Sequence, residues 1–194
     1  MSFRSGDRFT LLTVCTGNIC RSPAAERLFA AAFTMEQITV ASAGTHAMVG
    51  SPISPPMAAL LDDVGAPTGG FSARLLTEDQ IDGADVVLAM TREHRSFVVG
   101  MVPAAVKRTF TLREFARLTT RVSSAELDEA AGPDAGAARR LGALVPRAAR
   151  HRAPVQPELD DVVDPYQRAE QVYEKSFGQI LPAVRTIARA ALRM

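Results

Sequence analysis

Cysteine is nearly absent from this chain: among 194 residues there are two, Cys15 and Cys20. Two are too few for a disulfide framework. The three histidines, His46, His94 and His151, stand far apart, so no metal-ligand spacing arises and no metal is expected. Charges nearly cancel at +1, which removes the overall basic excess that would argue for nucleic acid. No apolar run approaches membrane-spanning length. The opening MSFRSGDRF lacks the apolar core of a signal peptide, so a cytoplasmic protein with no membrane insertion is the expectation. What remains is an ordinary globular composition, 47% hydrophobic, at a length that suits a single domain spanning residues 1–194.

Within that composition one stretch stands out, VCTGNICRSPAAERLF from Val14 to Phe29. Phe9 to Val14 is short, apolar and rich in β-branched residues, which reads as a buried strand. Ser22-Pro23 offers a cap and a proline at the first helical position, and Ala24, Ala25, Leu28, Phe29, Ala32 and Phe33 recur at helical spacing. The loop between them, Thr16, Gly17, Asn18, Ile19, Cys20 and Arg21, therefore lies at a helix N-terminus. Its unpaired N–H groups and the helix dipole form an anion cradle. Gly17 and Asn18 suit the unusual backbone angles of such a loop. The same donors, together with Arg21, stabilise the thiolate form of Cys15 and make it a nucleophile. Arg21 brings a planar fork for two phosphate oxygens, and Ser22 a hydroxyl that donates to the sulfur.

The string CTGNICRSP after an apolar strand resembles the low-molecular-weight protein tyrosine phosphatases, whose signature is C-x5-R in this strand, loop and helix setting. The resemblance implies an aspartate followed by proline and an aromatic residue late in the chain, and Asp164-Pro165-Tyr166 is the only Asp-Pro present. It implies phosphotyrosine hydrolysis with Cys15 as nucleophile, Arg21 as phosphate clamp, Asp164 as general acid and then base, and no cofactor. It gives Asn18, Ser22 and Ser42 a supporting role behind the loop, with Ile19, Met48 and Tyr166 lining the substrate cleft. Many eukaryotic members place an aromatic residue where Met48 stands, and this chain has no tryptophan. That substitution, and the string MTREH, look closer to bacterial members. Phe71 replaces a histidine that the family often carries. The implied partner is a phosphotyrosine protein, such as a bacterial tyrosine kinase or a polysaccharide-export component. Cys20 is either a reversible disulfide partner for Cys15 or a packed loop cysteine.

Further strands are expected at Ile38–Ser42, Asp85–Met90 and Val106–Phe110. Helices are expected from Pro55, after Thr77 through a capping box, after Thr91 and after Thr111. Strands alternating with helices imply βαβ units and a parallel sheet. The architecture expected is an α/β three-layer sandwich, a central four-stranded parallel sheet with helices on both faces. Residues from about 120 to 158 are read as an insertion, with a helix over Asp134–Arg150 broken near Pro146. Two readings of it compete: a basic lid beside the site, or a solvated surface excursion, the second favoured because charge runs are usually solvated faces. His94 reads as a solvated or packed side chain rather than a catalytic one. Three other activities stay open. Arginine phosphatases carry threonine where this chain has Ile19, arsenate reductases of this fold need a third thiol, and a non-catalytic phosphate-binding scaffold would not need Cys15, Arg21 and Asp164 together.

Overall fold

The computed structural model describes residues 8–33 and 37–194. A run of seven residues, Phe9–Cys15 (β1), forms the centre of the fold because it is mostly apolar and, Thr10 apart, fully buried. It pairs in parallel with Ile38–Gly44 (β2) on one side and with Val86–Ala89 (β3) on the other. Thr109–Thr111 (β4) then pairs with β3, giving a four-stranded parallel sheet in the order β2-β1-β3-β4.

Alternate β1 residues enter opposite layers, as the strand period requires. Phe9 and Leu11 face a core shared with Arg21–Ala32 (α1), Pro55–Asp62 (α2), Leu112–Thr119 (α5), Ala137–Arg150 (α7) and Glu170–Leu192 (α9). Leu12 and Val14 face a second core with Glu78–Asp82 (α3), Arg92–Met101 (α4) and a 3-10 segment, Pro103–Arg108. The three-layer sandwich is present. Among the described residues, no helix is long and apolar enough to cross a membrane.

Local signals worked where the side chain had no competing partner. Thr77 and Gln80 close the expected capping box, and Thr91 caps α4 by accepting from the His94 N–H. Three expectations need correction. The strand expected at Val106–Phe110 is mostly the 3-10 segment, which Pro103 starts, and only Thr109–Thr111 pairs. Helix α1 begins at Arg21 with Cys20 as N-cap, and Ser22 makes no capping bond because its hydroxyl is engaged elsewhere. Helix α7 runs unbroken through Pro146.

The 120–158 segment is not a solvated excursion. It folds as Ser124–Ala131 (α6), α7 and Pro157–Asp160 (α8), and buries Leu127, Leu141, Leu144, Val145 and Ala148 in the same core as β1. Two of its arginines turn inward as well, while Arg139 and Arg150 stay exposed. Arg140 is 1% exposed, paired with Asp128 and donating to the Ala190 carbonyl of α9. Arg152 stacks its guanidinium 3.9 Å over the Phe110 ring.

Candidate active site

The site forms at the carboxyl end of β1, the edge where parallel sheets bind ligands. Cys15 is the last residue of the strand, and the chain curls from Thr16 to Cys20 before α1 begins. The segment after β2 ties down the carbonyls of this curl. Thr45 donates to the Cys15 carbonyl at 2.9 Å, His46 to Thr16 at 3.0 Å, Met48 to Gly17 at 3.0 Å and Ser54 to Ile19 at 2.8 Å. By contrast, among the described residues none accepts a hydrogen bond from the N–H of Thr16, Gly17, Asn18, Ile19, Cys20 or Arg21. A loop with satisfied carbonyls and free amides at a helix N-terminus is an anion cradle.

Side chains fix its shape. Asn18 holds φ 53°, in the left-handed region that asparagine tolerates. Its amide donates to Ser22 at 3.0 Å and to Ser42 at 2.7 Å, and its carbonyl accepts the Arg74 N–H at 2.8 Å. Ser42 in turn donates to buried Glu26, whose carboxylate lies 3.5 Å from Arg74. The Ser22 hydroxyl sits 3.0 Å from the Cys15 sulfur. Gly44 is required here, because a Cβ would stand 2.4 Å from the Thr16 carbonyl oxygen.

Arg21 reaches from the start of α1 to the chain before α9. It lies 2.8 Å from Asp164 and contacts the Val162 carbonyl at 3.5 Å, while its Nε is buried with no partner. Exposure of the two side chains differs sharply, 5% for Arg21 and 53% for Asp164. The guanidinium is thus a fixed element of the loop, and the carboxylate stands at its mouth. The Tyr166 N–H donates to Asp164 at 3.2 Å, which orients it.

Cys20 is buried with its sulfur 3.1 Å from the Ser54 hydroxyl, and burial pushes its thiol up from the ordinary value. Met48 and Tyr166 are 42% and 41% exposed at the rim, whereas Ile19 is buried. Sequence reasoning gave His94 no partner, yet it is 6% exposed and bridges two threonines. Its Nε2 is 2.8 Å from the Thr16 hydroxyl and its Nδ1 2.8 Å from that of Thr91. Burial, reinforced by Arg21, pulls its pKa down to about 4, so the ring is neutral at pH 7. Glu26 was missed too, although its place one helical turn after Ser22 was a usable signal. Phe97, 40% exposed on α4, adds an aromatic contact to His46 at 5.9 Å that no sequence signal marked.

A doubly covered parallel sheet with a cysteine and an arginine sharing one amide-lined loop defines a phosphate-handling α/β protein. The family model for low molecular weight phosphotyrosine protein phosphatase matches residues 10–133, and the chain belongs to that family of phosphoric monoester hydrolases. Asp164 lies beyond the matched residues. A protein-arginine-phosphatase of Geobacillus stearothermophilus is 39% identical over 107 residues, covering 55% of this chain and 71% of that protein. The low molecular weight protein-tyrosine-phosphatase Etp of Escherichia coli K12 is 36% identical over 100 residues, covering 52% of this chain and 66% of that protein. Among solved structures, a low molecular weight protein tyrosine phosphatase from T. tengcongensis superimposes with a TM-score of 0.66 at 27% identity, covering 92% of this chain and 96% of that one.

Proposed function

We propose that this protein hydrolyses phosphotyrosine in proteins through a cysteinyl-phosphate intermediate. The observation that carries this reading is the placement of Cys15 inside the free-amide loop with the Arg21–Asp164 pair at 2.8 Å across its mouth. A phosphate monoester entering the loop replaces Asp164 on the Arg21 fork and meets the amides of Thr16 through Arg21. The Cys15 thiolate attacks phosphorus in line, forming the S–P bond as the P–O bond to the tyrosyl oxygen breaks. Asp164, as the acid, gives that oxygen its proton. Charge spreading over the equatorial oxygens tightens the amide and Arg21 contacts. Water then attacks phosphorus, Asp164 takes its proton, and the S–P bond breaks to return thiolate and inorganic phosphate. Ser22, at 3.0 Å, donates to the departing sulfur.

Asn18 and Ser42 hold the loop in this shape through their direct bond. Met48 and Tyr166 are the two walls against which a tyrosine ring packs, with Ile19 beneath the loop. We assign residues 120–158 to the same folding unit as the rest of the chain. The substrate is a phosphoprotein, and the family resemblance points to a bacterial tyrosine kinase or a polysaccharide-export component.

The similarity to a named arginine phosphatase makes phosphoarginine the second reading. Turnover of phosphotyrosine and phosphoarginine peptides side by side separates them, for wild type, Cys15→Ser and Asp164→Asn. The expected result is selective phosphotyrosine hydrolysis, abolished in Cys15→Ser and reduced at least roughly a hundredfold in Asp164→Asn. Preference for phosphoarginine would transfer the assignment to the second reading. Phosphate binding with no turnover of either peptide would leave a scaffold.

A further inference from the structure

A cavity of about 350 Å³ lies on the outer side of the segment that delivers Asp164, between the first turn of α4, the start of α5 and residues 152–155. Arg92, Arg95 and Arg152 line it, with Glu114 and Asp160. Both carboxylates are already engaged. Glu114 accepts from the Arg152 Nε at 3.1 Å and from the Thr111 N–H at 3.1 Å, and Asp160 pairs with Arg117 at 3.0 Å. Among the described residues, Arg152 is the one lining cation paired with a lining carboxylate. Among the described residues the Arg95 side chain donates only through its Nε, to the Thr109 carbonyl at 3.1 Å, while Arg152 donates one Nη to that same carbonyl and the other to the Val106 carbonyl at 3.1 Å. Two guanidinium groups therefore converge on one neutral oxygen. Burial lowers the Arg152 pKa, Glu114 opposes this, and the charge of Arg95 acts with the burial. Arg92 is 47% exposed at the edge, where Asp161 accepts its backbone N–H at 2.8 Å and lies 3.6 Å from its Nε. Among the described residues the terminal nitrogens of Arg92 and Arg95 have no acceptor, and they are the planar donors that recognise carboxylate and phosphate.

Asp160 lines this cavity, and Asp164 pairs with Arg21 at the mouth of the loop. Three residues separate them, so their Cα atoms stand at most about 14 Å apart, the reach of four extended peptide steps. We propose that the cavity is an oxyanion subsite beside the reacting centre. It takes a carboxylate or phosphate group, presented by an acidic stretch of the phosphoprotein substrate or as a free small anion. This inference rests on the phosphatase reading above for its link to turnover, though not for the binding itself.

The test uses the full chain as wild type, Arg92→Gln and Arg95→Gln. Arg92→Gln alters a half-exposed side chain and is the safer variant for folding. Calorimetric titration with pyrophosphate counts anion sites. Two sites in wild type and one in Arg95→Gln support both the subsite and the reacting loop. One and none support the subsite while removing the loop reading. Equal stoichiometry in wild type and both variants overturns the proposal. The source of the anion follows from phosphotyrosine peptides carrying glutamates or glutamines about four positions from the phosphotyrosine. An acidic substrate stretch predicts roughly a fivefold lower KM for the glutamate peptide in wild type, lost in both variants. Equal KM values alongside the extra pyrophosphate site assign the cavity to a free anion. Turnover of p-nitrophenyl phosphate, too small to span the two positions, is expected to stay within about twofold of wild type in both variants.

Discussion

Acidification is expected to loosen this fold through His94. The imidazole is buried between Thr16 of the phosphate loop and Thr91 of α4, faces Arg21, and stays neutral down to about 4 against an ordinary 6.5, with Asp164 and Asp161 opposing weakly. The folded protein thus refuses a proton that the unfolded chain accepts between these two values. Stability from this residue is complete above pH 6.5 and is lost as pH falls toward 4. Each pH unit inside that window costs about 1.4 kcal/mol, and the full interval approaches about 3 kcal/mol. Urea unfolding followed by far-UV circular dichroism, at half-unit steps from pH 7.5 to 4.5, measures this in wild type and His94→Gln. Carboxylates that titrate in the same range are common to both proteins, so the difference in slope isolates the imidazole. Wild type should lose stability more steeply than the variant. Parallel stability curves would refute the reasoning, and His94 would then be protonated in the folded state at no cost.

Other perturbations follow from contacts already described. Gly44→Ala should cost about 1–3 kcal/mol, because its Cβ must push the Thr16 carbonyl; thermal unfolding and phosphatase turnover are expected to fall together. Leu144→Ala should destabilise by about 2–5 kcal/mol in urea titration, as removal of a fully buried core side chain does. A value near zero would return the 120–158 segment to the surface. Arg140→Ala leaves the Ala190 carbonyl without its donor and Asp128 with Arg193 alone, and a loss of about 1–3 kcal/mol is expected by the same assay.

The parts legible in the sequence are those written in contiguous residues. An apolar run followed by Gly17 and Asn18 located β1 and the loop, Ser22-Pro23 placed the start of α1 two residues late, and Thr77 with Gln80 located α3. Strand β4 was misplaced because three paired residues carry too little pattern, and the apolar Ala104-Ala105-Val106 ahead of them coils into the 3-10 segment. The 120–158 segment was misread for a different reason. Its arginines suggested a solvated face, while Leu141, Leu144, Val145 and Ala148 recur at helical spacing beneath them, and Arg140 and Arg152 find partners inside. His94 was not legible at all as a neighbour of the loop, since Thr16 lies 78 residues away and only the sheet order brings α4 beside β1.

The two ends of the Arg21–Asp164 pair are made at very different moments of synthesis. Cys15 and Arg21 leave the ribosome early, and Asp164 follows about 150 residues later, roughly 8 to 30 s at ordinary elongation rates. Until α9 docks against α1 and α5, Arg21 lacks both Val162 and Asp164, and α1 lacks its main covering layer. On the roles proposed here, a nascent or prematurely terminated chain bears the nucleophile without the acid. Quality control that removes such chains would therefore also remove a loop able to capture phosphate and unable to release it.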